Sequence, residues 1–243
     1  MAQDQADMAQ VIIALDVSSL DEALGLVDSL GEGADFYKVG LELFTREGPG
    51  VVQALRERGK RTFLDLKLHD IPNTVGRAVA RARDLQVDFL TVHAAGGRPM
   101  MEAAAEAAGD DLTLLGITVL TSMTAADMEA VRGRAVDSVE EEVLRLAWLV
   151  HASGVGGVVA SVREAAPIRK AHGTDLVLVT PGIRLAGDDP HDQARVSTPA
   201  EAVAAGADYL VIGRSVTQAP DPAEALRRVH EDAAGPSAVG RTA

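Results

Sequence analysis

The sequence contains no cysteine among its 243 residues, which excludes disulfide bonds and thiolate metal sites. It also lacks any apolar run that approaches the roughly 20 residues that a membrane-spanning helix needs. The first ten residues, MAQDQADMAQ, lack the basic and apolar stretches of a secretion signal. We therefore expect a cytoplasmic protein that has no membrane partner.

Basic residues are outnumbered by acidic ones, 23 to 36, which gives a formal net charge of -13. A surface this acidic repels DNA, RNA and anionic lipid, so we expect no nucleic-acid partner. The dinucleotide pattern GxGxxG and the ATP-binding pattern GxxxxGK[ST] are absent. The metal-binding patterns HxH and HExxH are absent too, although aspartate and glutamate at strand ends remain able to hold magnesium.

Short apolar runs with abrupt polar ends recur along the chain, and such runs are typical of buried strands. Hydrophobic residues make up 47% of the sequence, which is enough for a substantial core. Helical patterns such as NTVGRAVARARDL and PAEALRRVHED lie between the runs. The eight predicted strands are residues 11–16, 36–40, 62–67, 89–94, 112–120, 157–161, 176–182 and 209–214.

Strands that alternate with helices in this way predict a parallel sheet covered by helices. Eight such units in about this length suit a single (β/α)8 TIM barrel of the α/β class. An open, doubly wound sheet is the alternative, but it concentrates its site at one switch point, whereas here polar residues follow the strands all along the chain. We therefore predict one barrel domain over residues 1–243, with loose termini at about 1–10 and 234–243.

The residues that end the predicted strands are unusually polar. In a TIM barrel these strand ends meet at the face that carries the active site. The candidates are Asp16, Lys38, Asp65, Lys67, His93, Thr121, Ser122, Ser161, Thr180, Gly213 and Arg214. Asp65 and Lys67 lie two apart, so both face the barrel mouth if the leucines beside them pack against the helices. Interleaved lysines and aspartates in a cleft tune charge and protonation, which predicts catalysis rather than a solvated surface.

Two histidines lie near these candidates, His69 and His93. A single histidine on an apolar strand is more often a hydrogen-bonded core residue than a catalytic base. We therefore expect a structural role for both and leave them out of the catalytic set.

The segment after the seventh predicted strand, PGIRLAGDDPHDQARVSTP, is long and rich in glycine and aspartate. Loops of this length in compact domains tend to be functional. TIM barrels frequently bind phosphate with the loops after strands seven and eight, and here the eighth strand is followed by Gly213 and Arg214. Glycine lets the backbone approach an anion, and arginine offers phosphate a bidentate fork. We predict a phosphate site closed by a lid that carries Arg184 and Gln193.

Four stretches, LDLKLHDIPNT, TVLTSM, TPGIR and VIGRSVTQAPDP, resemble the motifs of bacterial orotidine 5'-phosphate decarboxylases. The likeness runs from about Val11 to Val229. It implies a (β/α)8 barrel that decarboxylates orotidine 5'-phosphate (OMP) to UMP, the last step of de novo UMP synthesis. It also implies a homodimer with shared active sites, no cofactor and no metal. Two positions depart from the family pattern: Leu68, where phenylalanine is common, and Ser215, where proline is usual.

The resemblance also implies a role for each matching residue. Lys67 is the implied proton donor, and Lys38, Asp65 and the partner subunit's Asp70 complete a charged network around it, with Lys38 and Asp65 also facing the substrate. The other implied substrate contacts are Asp16 at the ribose, Thr121 and Ser122 near the pyrimidine, Thr74 from the partner subunit, and Arg184, Gln193, Gly213 and Arg214 at the phosphate.

Three other functions remain open on the sequence. A magnesium-dependent sugar-phosphate decarboxylase of the same barrel superfamily shares the D-x-K-x-x-D pattern, and EDTA would inactivate it. A Schiff-base aldolase needs a neutral amine at Lys67, but flanking carboxylates favour the charged form, and borohydride trapping would reveal it. A non-catalytic nucleotide-phosphate binding protein would bind UMP tightly without turning over OMP.

Overall fold

The computed structural model describes residues 9–185 and 197–235 of the chain. Its strands are β1 (Gln10–Leu15), β2 (Phe36–Gly40), β3 (Arg61–Leu68), β4 (Phe89–His93), β5 (Thr113–Ile117), β6 (Gly157–Val159), β7 (Val177–Ile183) and β8 (Tyr209–Ile212). Each strand pairs in parallel with the next along the chain, and β8 pairs with β1, so the sheet closes into a barrel. The predicted (β/α)8 barrel is confirmed, and the open sheet is excluded.

One or two helices follow each strand and cover the outside of the barrel. They are α1 (Leu20–Leu30), α2 (Leu41–Glu47), α3 (Gly50–Glu57), α4 (Pro72–Asp84), α5 (Arg98–Ala108), α6 (Ala125–Arg132), α7 (Val139–Ala152), α8 (Val162–His172), α9 (Pro199–Ala204), α10 (Arg214–Thr217) and α11 (Pro222–Ala234). Proline begins α4, α9 and α11, where its missing N–H would have no helical partner. None of the described helices is long and apolar enough to cross a membrane.

Three predicted strands extend two or three residues beyond the observed ones: β5 ends at Ile117, β6 at Val159 and β8 at Ile212. After β5 the chain turns, and the N–H of Met123 donates to the carbonyl of Leu120 at 2.9 Å. After β6, the Ser161 hydroxyl and N–H both bond the Glu164 carboxylate and so cap α8. Ser161, a predicted strand-end candidate, therefore contributes to a helix cap.

Alternate residues of each strand face the barrel interior, and the others face the helices. On β3, Phe63 belongs to the interior cluster, whereas its neighbour Leu64 belongs to the larger core between the barrel and the helices. The buried residues of the interior cluster are Ile12, Ala14, Phe36, Phe63, Phe89, Leu115, Val179 and Val211. The lower part of the barrel interior is thus an apolar core.

The N-terminal end of the barrel is closed by aromatic rings. Phe89 packs against Phe36 and Tyr209, with ring centroids 5.1 and 4.9 Å apart. The Arg61 guanidinium lies 4.0 Å from the centroid of Phe36 and donates to Asp88 at 3.1 Å. These residues lie at the start of their strands, so any site inside the barrel must lie at the opposite, C-terminal end.

The predicted loose termini are described only in part. Strand β1 begins at Gln10 and α11 ends at Ala234. Most of residues 1–10 and 234–243 lies outside the described residues, so their looseness stays a prediction.

An ion pair links helix α6 to α7. Of its described residues α6 buries only Met128. Its last residue, Arg132, lies 2.5 Å from the carboxylate of Glu142 in α7, and Arg145 bonds the same carboxylate. The Glu142 side chain is only 6% exposed. Burial by itself raises the pKa of Glu142, but the bonds and charges of Arg145 and Arg132 outweigh it and lower the pKa to about 2.

We predict that Glu142→Gln lowers the free energy of unfolding by about 1–3 kcal/mol at neutral pH, because it removes charge-assisted hydrogen bonds. The folded-state pKa lies below the ordinary 4.5. The stabilisation is therefore fully present above about pH 4.5 and is lost as the pH falls towards 2. Urea unfolding at a series of acidic pH values should show the two proteins converging.

The exposed neighbour in the same helix, Glu141, provides a matched control. Glu141→Gln should change the free energy of unfolding by less than about 0.5 kcal/mol. A stability gap between wild type and Glu142→Gln that stayed constant down to about pH 3 would contradict the ion-pair explanation.

Candidate active site

The interior positions of β2, β3 and β4 become polar towards the C-terminal end of the barrel. Above the apolar cluster they are Lys38 on β2, Asp65 and Lys67 on β3, and Thr91 and His93 on β4. A cavity of about 150 Å³ lies at this end. Lys38, Asp65, Lys67 and Thr121 line it, as the strand-end analysis predicted.

Two ion pairs lie at the mouth of this cavity. The Lys67 ammonium is 2.6 Å from Asp65 Oδ2, and the Lys38 ammonium is 2.8 Å from Asp16 Oδ1. Asp65 is only 9% exposed, and a buried carboxylate charge is unfavourable unless it is paired, as Asp65 is with Lys67. Two lysines and two aspartates thus form a fixed pattern of alternating charge in the barrel mouth.

Gly40, which sequence reasoning missed, makes room for one of these pairs. A Cβ atom at Gly40 would lie 3.3 Å from Lys38 Nζ and 3.6 Å from Asp16 Oδ1. A side chain there would crowd the ammonium. The only sequence signal was a glycine two residues after a lysine, which is too common a pattern to be informative.

Strand β3 carries an irregularity where its charged residues lie. Leu64 pairs with Leu90 and Leu68 pairs with Val92, so β3 advances four residues while β4 advances two. Within this bulge Lys67 has a φ of 50°, a left-handed conformation that disfavours most side chains. Bulges often re-aim side chains next to active sites. Asp65 and Lys67 therefore both reach into the barrel from a locally strained backbone.

Thr91, on the neighbouring strand β4, faces both charged residues of β3. Its hydroxyl donates to Asp65 Oδ1 at 2.9 Å and accepts the N–H of Lys67 at 2.8 Å. Thr91 is fully buried. Sequence reasoning missed it, because threonine is an ordinary strand residue and the signal was one hydroxyl in an otherwise apolar run.

The opposite wall of the cavity is apolar and includes Pro181, which lies where β7 bulges against β8. The apolar lining residues are Phe63, Ile117, Val119, Leu120, Val159, Pro181 and Val211. A flat, uncharged ring would bury its faces here while one edge met the lysines and aspartates. The cavity therefore has one apolar wall and one charged wall.

His93 ends β4 beside this charged wall, and its ring centroid lies 5.4 Å from that of His69. Burial lowers the pKa of His93 below its ordinary 6.5, and the charges of His69 and Lys67 lower it further, while Asp65 partly opposes them. His93 is therefore neutral at neutral pH. Neither histidine lines the cavity, and their structural role stays a prediction.

The residues predicted at the phosphate end are less fully described. Arg184 is buried just after β7, and its N–H donates to the carbonyl of Ser197 at 3.0 Å. Gly213 lies beside the charged mouth, since a Cβ there would be 3.8 Å from Asp16 Oδ2. Arg214 begins α10 directly after it. Gln193 and most of the predicted lid lie outside the described residues.

Of the predicted candidates that the structure describes, only Lys38, Asp65, Lys67 and Thr121 line the cavity. Those outside its lining include Thr180, which is buried in β7, Ser122, which follows Thr121, and Thr74. Thr74 and Asp70 are exposed on the segment after β3. Asp70 Oδ1 accepts the N–H of Ile71 at 2.6 Å, so the carboxylate is turned onto its own loop. A single chain therefore does not bring Asp70 to Lys67.

Two larger cavities lie on the outside of the barrel. One of about 450 Å³ lies between α1 and α11, and another of about 560 Å³ lies behind β3 and includes Leu64, Leu66 and Leu68 in its lining. The second confirms that the leucines of β3 face away from the barrel mouth. Neither is lined by the charged residues of the mouth. The cavity of about 150 Å³ is the candidate active site because Lys38, Asp65 and Lys67 line it.

The comparisons with known proteins agree with this geometry. The model of the orotidine 5'-phosphate decarboxylase / HUMPS family matches residues 9–229. The chain belongs to this family. It is 49% identical over 227 residues to the orotidine 5'-phosphate decarboxylase of Moorella thermoacetica, with 90% of each chain covered. It is 50% identical over 224 residues to the protein of that name from Neisseria meningitidis serogroup A, again with 90% of each covered.

A solved structure supports the same assignment to the orotidine 5'-phosphate decarboxylase / HUMPS family. The orotidine 5'-phosphate decarboxylase from Lactobacillus acidophilus superposes with a TM-score of 0.82 at 35% identity. The superposition covers 92% of this chain and 98% of that one. Within residues 9–185 and 197–235 of this family member, no group of three or more His, Cys, Asp or Glu side chains could hold a metal ion.

The lowered pKa of His93 predicts a specific dependence of stability on pH. The unfolded chain binds a proton at this position near pH 6.5, whereas the folded protein does so only at lower pH. Folding is therefore destabilised as the pH falls below about 6.5. His93→Gln should lose less free energy of unfolding than wild type between about pH 7 and pH 5, as measured by urea titration.

His230, exposed on α11 and lining the outer cavity between α1 and α11, offers a control histidine away from the barrel mouth. His230→Gln should retain the wild-type acid slope. If His93→Gln kept that slope as well, His93 would not be the group responsible.

Proposed function

We propose that this chain decarboxylates orotidine 5'-phosphate to UMP, the last step of de novo pyrimidine nucleotide synthesis. Membership of the orotidine 5'-phosphate decarboxylase / HUMPS family and the names of its relatives support the substrate. The observation that carries the mechanism is the Lys67–Asp65 pair at 2.6 Å, in a cavity that has apolar side chains on its other wall.

The reaction needs charge of this kind. Loss of CO2 from C6 of the pyrimidine leaves an electron pair in the plane of the ring, where the π system cannot delocalise it. Stabilisation must then be electrostatic, and a fixed ammonium is most effective where water is excluded. Lys67 supplies positive charge to the developing carbanion and then donates the proton that replaces CO2 at C6.

Asp65 holds that ammonium in place. Its two carboxylate oxygens are both engaged, one by Lys67 and one by Thr91. In the proposed complex Asp65 also lies near the substrate carboxylate, and relief of their repulsion would favour loss of CO2. Lys38, paired with Asp16, extends the charged wall towards the ribose.

The remote phosphate provides binding energy that does not depend on the reacting carbon. In our proposal Arg184, Gly213, Arg214 and Gln193 hold the phosphate, Asp16 holds the ribose, and Thr121 with Ser122 borders the pyrimidine. Gly213 lies within reach of the Asp16 carboxylate, which supports a continuous path from ribose to phosphate. Binding energy from the phosphate would then orient the pyrimidine against Lys67.

We further propose a homodimer in which Asp70 and Thr74 complete the partner's active site. Both residues are exposed, and Ile71, which lies between them in the chain, is 66% exposed. An exposed large apolar residue beside the proposed shared-site residues favours a protein interface there. No cofactor, metal, nucleic acid or membrane is part of this proposal, and a cytoplasmic location stays a prediction.

One assay separates this function from the alternatives. OMP consumption should be followed spectrophotometrically after exhaustive EDTA treatment, and activity should persist undiminished. Loss of activity that magnesium restores would favour the magnesium-dependent sugar-phosphate decarboxylase. Tight UMP binding with no turnover would favour a binding protein. The Lys67–Asp65 distance of 2.6 Å supports the proposed decarboxylase over a Schiff-base lysine, because the nitrogen is engaged by a carboxylate rather than free to attack a carbonyl.

Lys67→Ala and Arg214→Ala should fail in different ways. Lys67→Ala removes charge that acts mainly in the transition state, so kcat should fall by at least about 10³-fold while UMP still binds. Arg214→Ala removes a phosphate contact, so KM should rise by roughly 30–100-fold, with a smaller effect on kcat. Steady-state kinetics and calorimetric UMP titration measure both.

Exposed residues of the same types serve as controls. Lys170→Ala in α8 and Arg228→Ala in α11 should keep wild-type kinetics. The mechanism is wrong if Lys67→Ala retains most of its kcat.

The shared site predicts complementation between inactive variants. Purified Lys67→Ala and Asp70→Ala proteins should each be nearly inactive. After subunit exchange about half of the dimers are mixed, and each mixed dimer has one site with both residues intact. About one quarter of all sites should therefore regain activity. Continued inactivity despite demonstrated exchange would place Lys67 and Asp70 in the site of one chain.

A further inference from the structure

The three residues Thr91, Asp65 and Lys67 form a closed hydrogen-bond cycle. The Lys67 N–H donates to Thr91, the Thr91 hydroxyl donates to Asp65 Oδ1, and Asp65 Oδ2 accepts from the Lys67 ammonium. The cycle therefore starts at the backbone of Lys67 and returns to the end of its own side chain. Through Thr91, the position of the ammonium is tied to β4 as well as to β3.

The bulge in β3 explains why the cycle needs a hydroxyl at this position. Between Leu64 and Leu68 the regular ladder to β4 is interrupted, and the N–H of Lys67 turns to a side chain instead of a backbone carbonyl. A φ of 50° is costly for lysine and persists only where the surroundings hold it. Thr91 is the neighbour whose hydroxyl accepts that N–H.

Asp65 depends on the same hydroxyl. It is buried, and a buried carboxylate needs a donor on each oxygen to remain charged and in one orientation. Lys67 serves one oxygen and Thr91 serves the other. Without the hydroxyl, the carboxylate could rotate and carry the ammonium with it.

We propose that Thr91 is a positioning residue for decarboxylation, whose hydroxyl fixes Asp65 and the strained backbone of Lys67 so that the ammonium meets the reacting carbon. This inference rests on the proposed function. Thr91 is not among the residues that line the cavity, so it acts through the other two. Ribose and phosphate contacts lie elsewhere, so its loss should affect the chemical step more than ground-state binding.

Two substitutions isolate the hydroxyl. Thr91→Val preserves the shape of the side chain and removes the hydroxyl, whereas Thr91→Ser keeps the hydroxyl and removes the methyl group. For Thr91→Val we expect kcat to fall about 10–100-fold, with KM for OMP and the UMP dissociation constant within about threefold of wild type. Thr91→Ser should restore kcat to within about threefold of wild type. Thr62→Val, at a buried threonine at the other end of β3, is the control and should match wild type.

Three outcomes of the kinetic and thermal-unfolding measurements would overturn the proposal. Unchanged kcat in Thr91→Val would show that the hydroxyl is not needed. An equal fall in Thr91→Val and Thr91→Ser would assign the effect to packing. A fall in Tm with raised KM and normal kcat would indicate a purely structural role.

A crystal structure of Thr91→Val provides a readout that does not need turnover. It should show the Asp65 carboxylate rotated or Lys67 relaxed from its positive φ, and an unchanged pair would overturn the proposal. Wild-type protein that failed to decarboxylate OMP would refute the proposed function instead, and the crystal structure would still test whether Thr91 holds the pair.

Discussion

Closure of the barrel makes all eight strands share one narrow interior. Each strand can place only every second residue there, so the interior is filled in layers, and each layer takes its members from several strands. The lower layers are apolar and aromatic, and the upper layer carries Lys38, Asp65 and Lys67. The apolar core and the charged site thus come from successive interior positions of the same strands. A shift of one strand would therefore move both its core residues and its site residues.

The buried charges of the upper layer reduce the stability of the fold unless they are paired. A buried carboxylate is unfavourable unless it is paired and hydrogen-bonded, and Asp65 satisfies this condition with one lysine and one threonine. The positive φ of Lys67 adds backbone strain at the same place. Strain and buried charge concentrated at one bulge are typical of a site in which stability has been exchanged for function.

The barrel fold and several residues of the candidate site could be predicted from the sequence, because both depend on local patterns of apolar and charged residues. The two-residue spacing of Asp65 and Lys67 places them on one face of a strand, and apolar runs mark the strands whatever their partners. Thr91 could not be found in this way, because its importance comes from β3, the strand beside it. Gly40 is informative only once Lys38 Nζ is seen 3.3 Å from where its Cβ would be. The β3 bulge is likewise a property of strand pairing. The contribution of Asp70 to a partner's site stays a prediction, since it involves a second chain.

The aromatic residues at the N-terminal end of the barrel affect how substrate enters and products leave. Phe36, Phe89 and Tyr209, with Arg61 stacked on Phe36, pack across the N-terminal end. OMP must then enter, and both CO2 and UMP must leave, at the C-terminal end, where Lys38, Asp65 and Lys67 lie. In the proposed reaction both products share this end of the barrel, so the order in which they leave would determine whether CO2 can return to the carbanion.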